Sequence, residues 1–136
     1  MGQLSALAVI AADQIVVPLP TNSKGLDGLD TVFAMVKEYR QAAQNLSISF
    51  CILTQHDART KHDIESLASI RTQLPLVAPI SSPLNSRPAP YKDAQLTGMP
   101  IPVFQPGGDA DLEIRQVVSE FLEAIQVSVG VGSQDV

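Results

Sequence analysis

The chain has 136 residues, is 45% hydrophobic and 17% charged, and carries a net charge of −5 with a sequence isoelectric point near 4.8. Those figures fit one domain with one apolar core and exclude a wholly disordered chain. Aromatic residues are 4% of the total and Trp is absent, which excludes a nucleic-acid platform of stacked rings, and the net negative charge leaves only a local basic patch for phosphate contacts.

In chain order, Leu4, Ala8, Ala11 and Ala12, with Leu7 beside them, predict one face of a short first helix. Gln14–Leu19 reads as a buried strand ended by Pro18 and Pro20, since proline donates nothing to a ladder. Leu26, Leu29, Val32, Phe33, Val36 and Tyr39 recur at helical spacing over 26–40. Ser47–Thr54 is a second strand, apolar on both faces, as in parallel sheets covered by helices. Thr60-Lys-His-Asp63 has capping-box spacing and opens a helix carrying Ile64, Leu67, Ala68 and Leu74, closed by Pro75. Leu76–Ile80 is a short third strand. Residues 81–108 hold six of the ten prolines and read as a long irregular stretch with a helical turn over 90–97. Gly107-Gly-Asp109 starts a last helix with Leu112, Val117, Val118, Phe121, Leu122 and Ile125 inward. Residues 1–126 are expected to form a single domain, and 127–136 a flexible tail. The alternation of strands and helices predicts an α/β fold, a parallel sheet with flanking helices.

No run of about 18 apolar residues exists, so no membrane partner is expected, and Leu4–Ala12 lacks the basic flank of a signal peptide, so a cytoplasmic location is expected. Cys51 lies among apolar neighbours and reads as an inert buried thiol. No lysine is followed by Ser or Thr, so there is no Gly-Lys-Ser/Thr phosphate loop, and neither GxGxxG nor GxSxG occurs. His56 and His62 are six apart, not at the spacing of a helical zinc pair, and no metal site is expected. Asp57 beside His56 is open to two roles, an acid–base pair or a cap on loop backbone.

Four segments carry a resemblance. Ala11-Ala-Asp-Gln-Ile-Val-Val-Pro18 followed by Gly25-Leu-Asp-Gly-Leu29, then Ile52-Leu-Thr-Gln-His-Asp-Ala-Arg-Thr60, then Lys92-Asp-Ala-Gln-Leu-Thr-Gly-Met-Pro100, run in order through most of the chain. In this the sequence resembles the C-terminal half of the ParA/Soj family of plasmid and chromosome partition ATPases. The resemblance implies part of a P-loop NTPase fold without the N-terminal Walker A region, with Met1 falling just after the Walker B segment. The chain would then be a fragment or a stand-alone remnant. It further implies an adenine edge at Thr54 and Gln55 and a second wall near Asn85, Ser86 and Arg87, where the family's Ile-Pro-Arg is not reproduced. Arg59 matches an arginine that contributes to nonspecific DNA binding in the family. Arg87 matches another by position, and Lys61 lies beside Arg59 at the same helix start.

Full-length members of the family bind ATP and Mg, dimerise, bind DNA nonspecifically and meet a centromere-bound partner protein. This chain alone is expected to hold no cofactor and not to hydrolyse ATP, yet to self-associate as a homo-oligomer. An alternative is a non-catalytic module without a P-loop that dimerises or pairs with a full-length relative. A third reading, an unrelated flavodoxin-like enzyme, lacks a convergent acid, base and nucleophile.

Overall fold

A computed structural model describes residues 3–44 and 47–132, with the side chains of 23–26, 42 and 127–132 excepted. The elements are α1 (Gln3–Ala11), β1 (Val16–Pro20), α2 (Ser23–Ala42), β2 (Phe50–Thr54), α3 (Lys61–Gln73), a 3-10 turn (Leu74–Leu76), α4 (Pro88–Thr97), α5 (Ile101–Phe104) and α6 (Asp109–Gly132). The architecture is mixed α/β around a small parallel sheet, the coarse class expected.

β1 and β2 pair in parallel, Val16 opposite Phe50 through Pro20 opposite Thr54. Pro20 is the last residue of β1, as the sequence suggested, but Pro18 does not end the strand; it lies inside it. The Ile15 carbonyl accepts from the Phe50 N–H, and the Thr21 N–H donates to the Thr54 carbonyl. Odd-numbered residues of β1 therefore bond to β2, and the two prolines turn their donor-less nitrogens to the outer edge. No strand pairs with that edge among the described residues.

The third strand overlaps the expected 76–80 only at its end. Leu74–Leu76 is a 3-10 turn, and the pairing segment is 79–86, most of it inside the stretch expected to be irregular. It pairs with the other edge of β2 through parallel bridges at Cys51–Ile80 and His56–Asn85. Pro83 disguises it. At the interruption the Ser81 hydroxyl accepts the Leu53 N–H at 2.9 Å, and pairing resumes when the Leu84 N–H meets the Leu53 carbonyl. A side chain thus satisfies a buried amide that the ladder leaves behind.

One face of the sheet carries α2 and α3. Leu29, Val32 and Val36 of α2 and Leu67 and Ile70 of α3 pack with Leu19, Cys51 and Leu53. Gly28 is required there, because a Cβ would stand 2.9 Å from the Leu19 Cδ1. The other face carries α6, whose Phe121 ring lies 5.7 Å from the Phe50 ring between centroids.

Thr60 caps α3 as expected, accepting from the Asp63 N–H at 3.4 Å. Asp63 reaches past the cap to the Asp57 N–H. Of the apolar residues α3 carries, Ile64 and Ala68 are exposed, and the buried stripe runs Asp63, Ser66, Leu67 and Ile70. On α6, Val117 is buried and Phe121 half-buried, but Leu112, Val118 and Leu122 are exposed, because Ala110 and Asp111 set the inward face. No residue of α1 is buried; Leu4, Leu7 and Ile10 all face outward. α6 runs helical through Gly132, while 133–136 of the expected tail lie outside the described residues.

Candidate functional site

β2 and the 79–86 segment run in parallel, and their carboxyl ends open on one side. At such ends the backbone splays toward loops and leaves a crevice. Here the crevice is a cavity of about 310 Å³ lined by Thr54, Gln55, Leu84, Asn85, Ser86, Arg87, Pro88 and Tyr91. The four residues assigned to a base edge from the sequence, Thr54, Gln55, Ser86 and Arg87, all line it. Its size is at the small end of the range for small-molecule sites, about 300 to 1,000 Å³.

The first wall is held by the sheet. Gln55 has φ of 54°, in the left-handed region. A non-glycine residue rarely adopts it, and such strain persists only where the surroundings fix it. They do: the His56 N–H donates to the Leu84 carbonyl, and the Ser86 N–H to the His56 carbonyl. Below, the buried Thr21 hydroxyl and His56 Nδ1 are hydrogen-bonded at 2.9 Å, tying the ends of β1 and β2 together. His56 is thus a structural tie at a strand end.

The second wall is held by α6. Glu113 accepts from the Asn85 side-chain amide at 2.7 Å, from the Asn85 N–H at 3.2 Å and from Arg87 at 2.8 Å. Burial works against ionisation of Glu113, but the bonds from Arg87 and Asn85 outweigh it and hold the carboxyl below its ordinary range. Arg87 also lies 3.6 Å from Asp109. Tyr91, one helical turn into α4, completes the cavity and carried no sequence signal of its own; burial is the main cause of its raised phenol pKa.

A second cleft adjoins the first. His56, Asp57, Ala58 and Arg59 line one side, and Asn85, Ser86, Arg87 and Pro88 the other. The basic residues picked for DNA meet there only in part. Arg59 is 88% exposed and Arg87 half-buried, while Lys61 lies beyond, on the first turn of α3. Each has an acidic partner: Asp57 for Arg59 at 2.9 Å, Glu65 for Lys61 at 3.6 Å, Glu113 for Arg87. Asp57 also accepts the Arg59 N–H, so of its two open roles the structure shows the backbone cap. The Arg59 side chain is the main cause that lowers the Asp57 pKa to about 2. Burial raises the Cys51 thiol to about 11, which makes it a poor nucleophile.

Among the described residues, no group of three or more His, Cys, Asp or Glu stands where it could hold a metal ion. None of the described helices is long and apolar enough to cross a membrane.

Fold and cleft define an α/β chain with a ligand-sized crevice at the carboxyl ends of parallel strands. The chain is similar in sequence to a ParA partition protein: it is 32% identical, over an alignment of 134 positions that covers 92% of its own length, to the probable plasmid-partitioning protein ParA of Thermus thermophilus. It spans 40% of that relative's length. No family model matches the chain, and no solved structure matches it significantly.

Proposed function

We propose that this chain provides the base-binding side of a ParA-type nucleotide site and acts in plasmid or chromosome partition. One observation carries the reading: Thr54, Gln55, Ser86 and Arg87, far apart in sequence and picked by resemblance, line one cavity. Thr54 and Gln55 offer hydrogen-bonding groups to the edge of a base, while Leu84, Pro88 and Tyr91 offer apolar wall to its face.

The adenine part of ATP fits these residues. The phosphates and Mg do not, since there is no Gly-Lys-Ser/Thr and no acidic cluster among the described residues. In the family ATP drives dimerisation; the residues here would only hold and orient the base. The chain alone therefore binds adenine nucleotides weakly and does not hydrolyse ATP.

DNA binding is weak and nonspecific, through Arg59 and Lys61 with Arg87, and it competes with the ion pairs each makes. Homo-oligomers form through helix faces, because Pro18 and Pro20 blunt the outer edge of β1 while Leu4, Leu7 and Ile10 of α1 stay uncovered. That same uncovered helix favours a second reading, a non-catalytic module that pairs with a full-length relative or with a centromere-bound partner.

Calorimetric titration with ADP tests the site. Binding with a dissociation constant on the order of 0.1 to 1 mM, weakened in Gln55→Ala and Tyr91→Ala, is expected. Binding unaffected by both substitutions, or none at millimolar ADP, would count against it.

A further inference from the structure

Asn85, Ser86, Arg87 and Pro88 line both clefts, so they form the ridge between them. What holds that ridge comes from the other side of the segment. The N–H groups of Ser81, Leu84 and Ser86 point to β2. Those of Ser82 and Asn85 point away from it, and each donates to a carboxylate of α6: Ser82 to Glu120 at 2.7 Å and Asn85 to Glu113 at 3.2 Å. The two glutamates are seven residues apart, two turns on one helix face. Glu120 meets Ser82 and its own neighbour Gln116, and it lines neither cleft. Glu113 meets Asn85 twice and Arg87 once, and both partners are ridge residues.

We propose that Glu113 is a positioning residue: it lies outside both clefts, yet fixes Asn85 and Arg87 in the ridge, so that α6 sets the shape of the nucleotide site. The inference rests on the reading of the first cleft as that site. Arg87 depends on this one carboxylate for its close contact. Its Nε is buried without a partner, and its other acid, Asp109, is 3.6 Å away. Without Glu113 the guanidinium has no close partner on α6, and Asn85 loses the acceptor of both its backbone and its side-chain N–H. The titratable groups facing Glu113 are the Arg87 guanidinium and the neutral Tyr91 phenol, with Asp109 on its own helix acting through Arg87.

The test is heteronuclear NMR on the whole chain, using Glu113→Ala, Glu113→Gln and Glu120→Ala. In the first arm, without ligand, the Asn85 side-chain and backbone amide signals are followed as pH falls. A transition below the ordinary glutamate range is expected in the wild type and in Glu120→Ala, and is expected to vanish in Glu113→Gln. In the second arm, ADP is titrated at neutral pH. Glu113→Ala is expected to weaken ADP binding at least fivefold, Glu113→Gln less, and Glu120→Ala, which removes the same charge from the same face, by under twofold. Equal effects of the two alanine variants, or none from Glu113→Ala, would overturn the proposal. If the wild type binds no ADP, the nucleotide reading falls, and the first arm decides the positioning role by itself: an Asn85 transition that persists in Glu113→Gln, or is absent from the wild type, overturns it.

Discussion

The cluster between the sheet and α2 and α3 is made mostly of leucine, isoleucine and valine, with Cys51 and Ala78, whereas the cluster joining α4, α5 and α6 is built around Ala94, Ile101 and Ala110. A buried alanine removes little apolar area from water, so the second region has less hydrophobic stabilisation to draw on. It relies instead on carboxylates. Glu113 and Glu120 clasp the 79–86 segment, and the buried Asp111 accepts from the Gly107 N–H and from Arg115. The cleft lies where the two regions meet. One wall is fixed by packing and the other by charge, so the two walls should respond to different perturbations.

The largest expected effect falls on the packed region. Leu53 of β2 is wholly buried in the sheet core, and Leu53→Ala should lower stability by about 3 to 4 kcal/mol, read as a shift of the urea midpoint. A cost below about 1 kcal/mol would mean that the sheet core is not packed as described.

Glu113→Ala should cost less, about 1 to 2 kcal/mol, since it strands half-buried donors rather than opening a cavity. Acid should act in the same place. Glu113 and Glu120 are both held below the ordinary glutamate range, so their contribution is present above the unfolded value and lost as pH falls through the lowered ones. Tyr39 on α2 and Tyr91 on α4 report one region each. On acidification the Tyr91 ring signals should change before those of Tyr39, and the reverse order would break the comparison.

Thr60→Ala removes a long cap bond and should cost about 0.5 to 1 kcal/mol, visible as earlier melting of α3. The smallest effect on stability should come from Arg59→Ala, an exposed ion pair. Its consequence should appear in DNA binding, as a salt slope reduced by about one. Unchanged binding and slope would remove Arg59 from the DNA surface.

The packed region was the more legible in sequence. The helical period over 26–40, the Ile-rich β2 and the Thr60 cap each rest on a local rule, and each element is present. Pro18 sits inside β1 because a proline forbids pairing on one edge only, and which edge it faces is not local information. The 79–86 segment was hidden for a similar reason: a serine side chain replaces one ladder acceptor beside Pro83. Of the site, Thr54, Gln55, Ser86 and Arg87 were found by resemblance, and the cavity joins them. Tyr91 and Glu113 were missed. Glu113 leaves a trace, since it and Glu120 repeat at seven residues on a helix whose apolar stripe is narrower than its sequence suggests.

The central claim is that the crevice between Gln55 and Arg87 binds the base of an adenine nucleotide. Mapping of backbone and ring NMR signals during addition of ADP tests it directly. Progressive shifts are expected at Thr54, Gln55, Ser86, Arg87 and the Tyr91 ring, with little change on α1 or α5. Shifts centred elsewhere, or a spectrum unchanged at millimolar ADP, would contradict it.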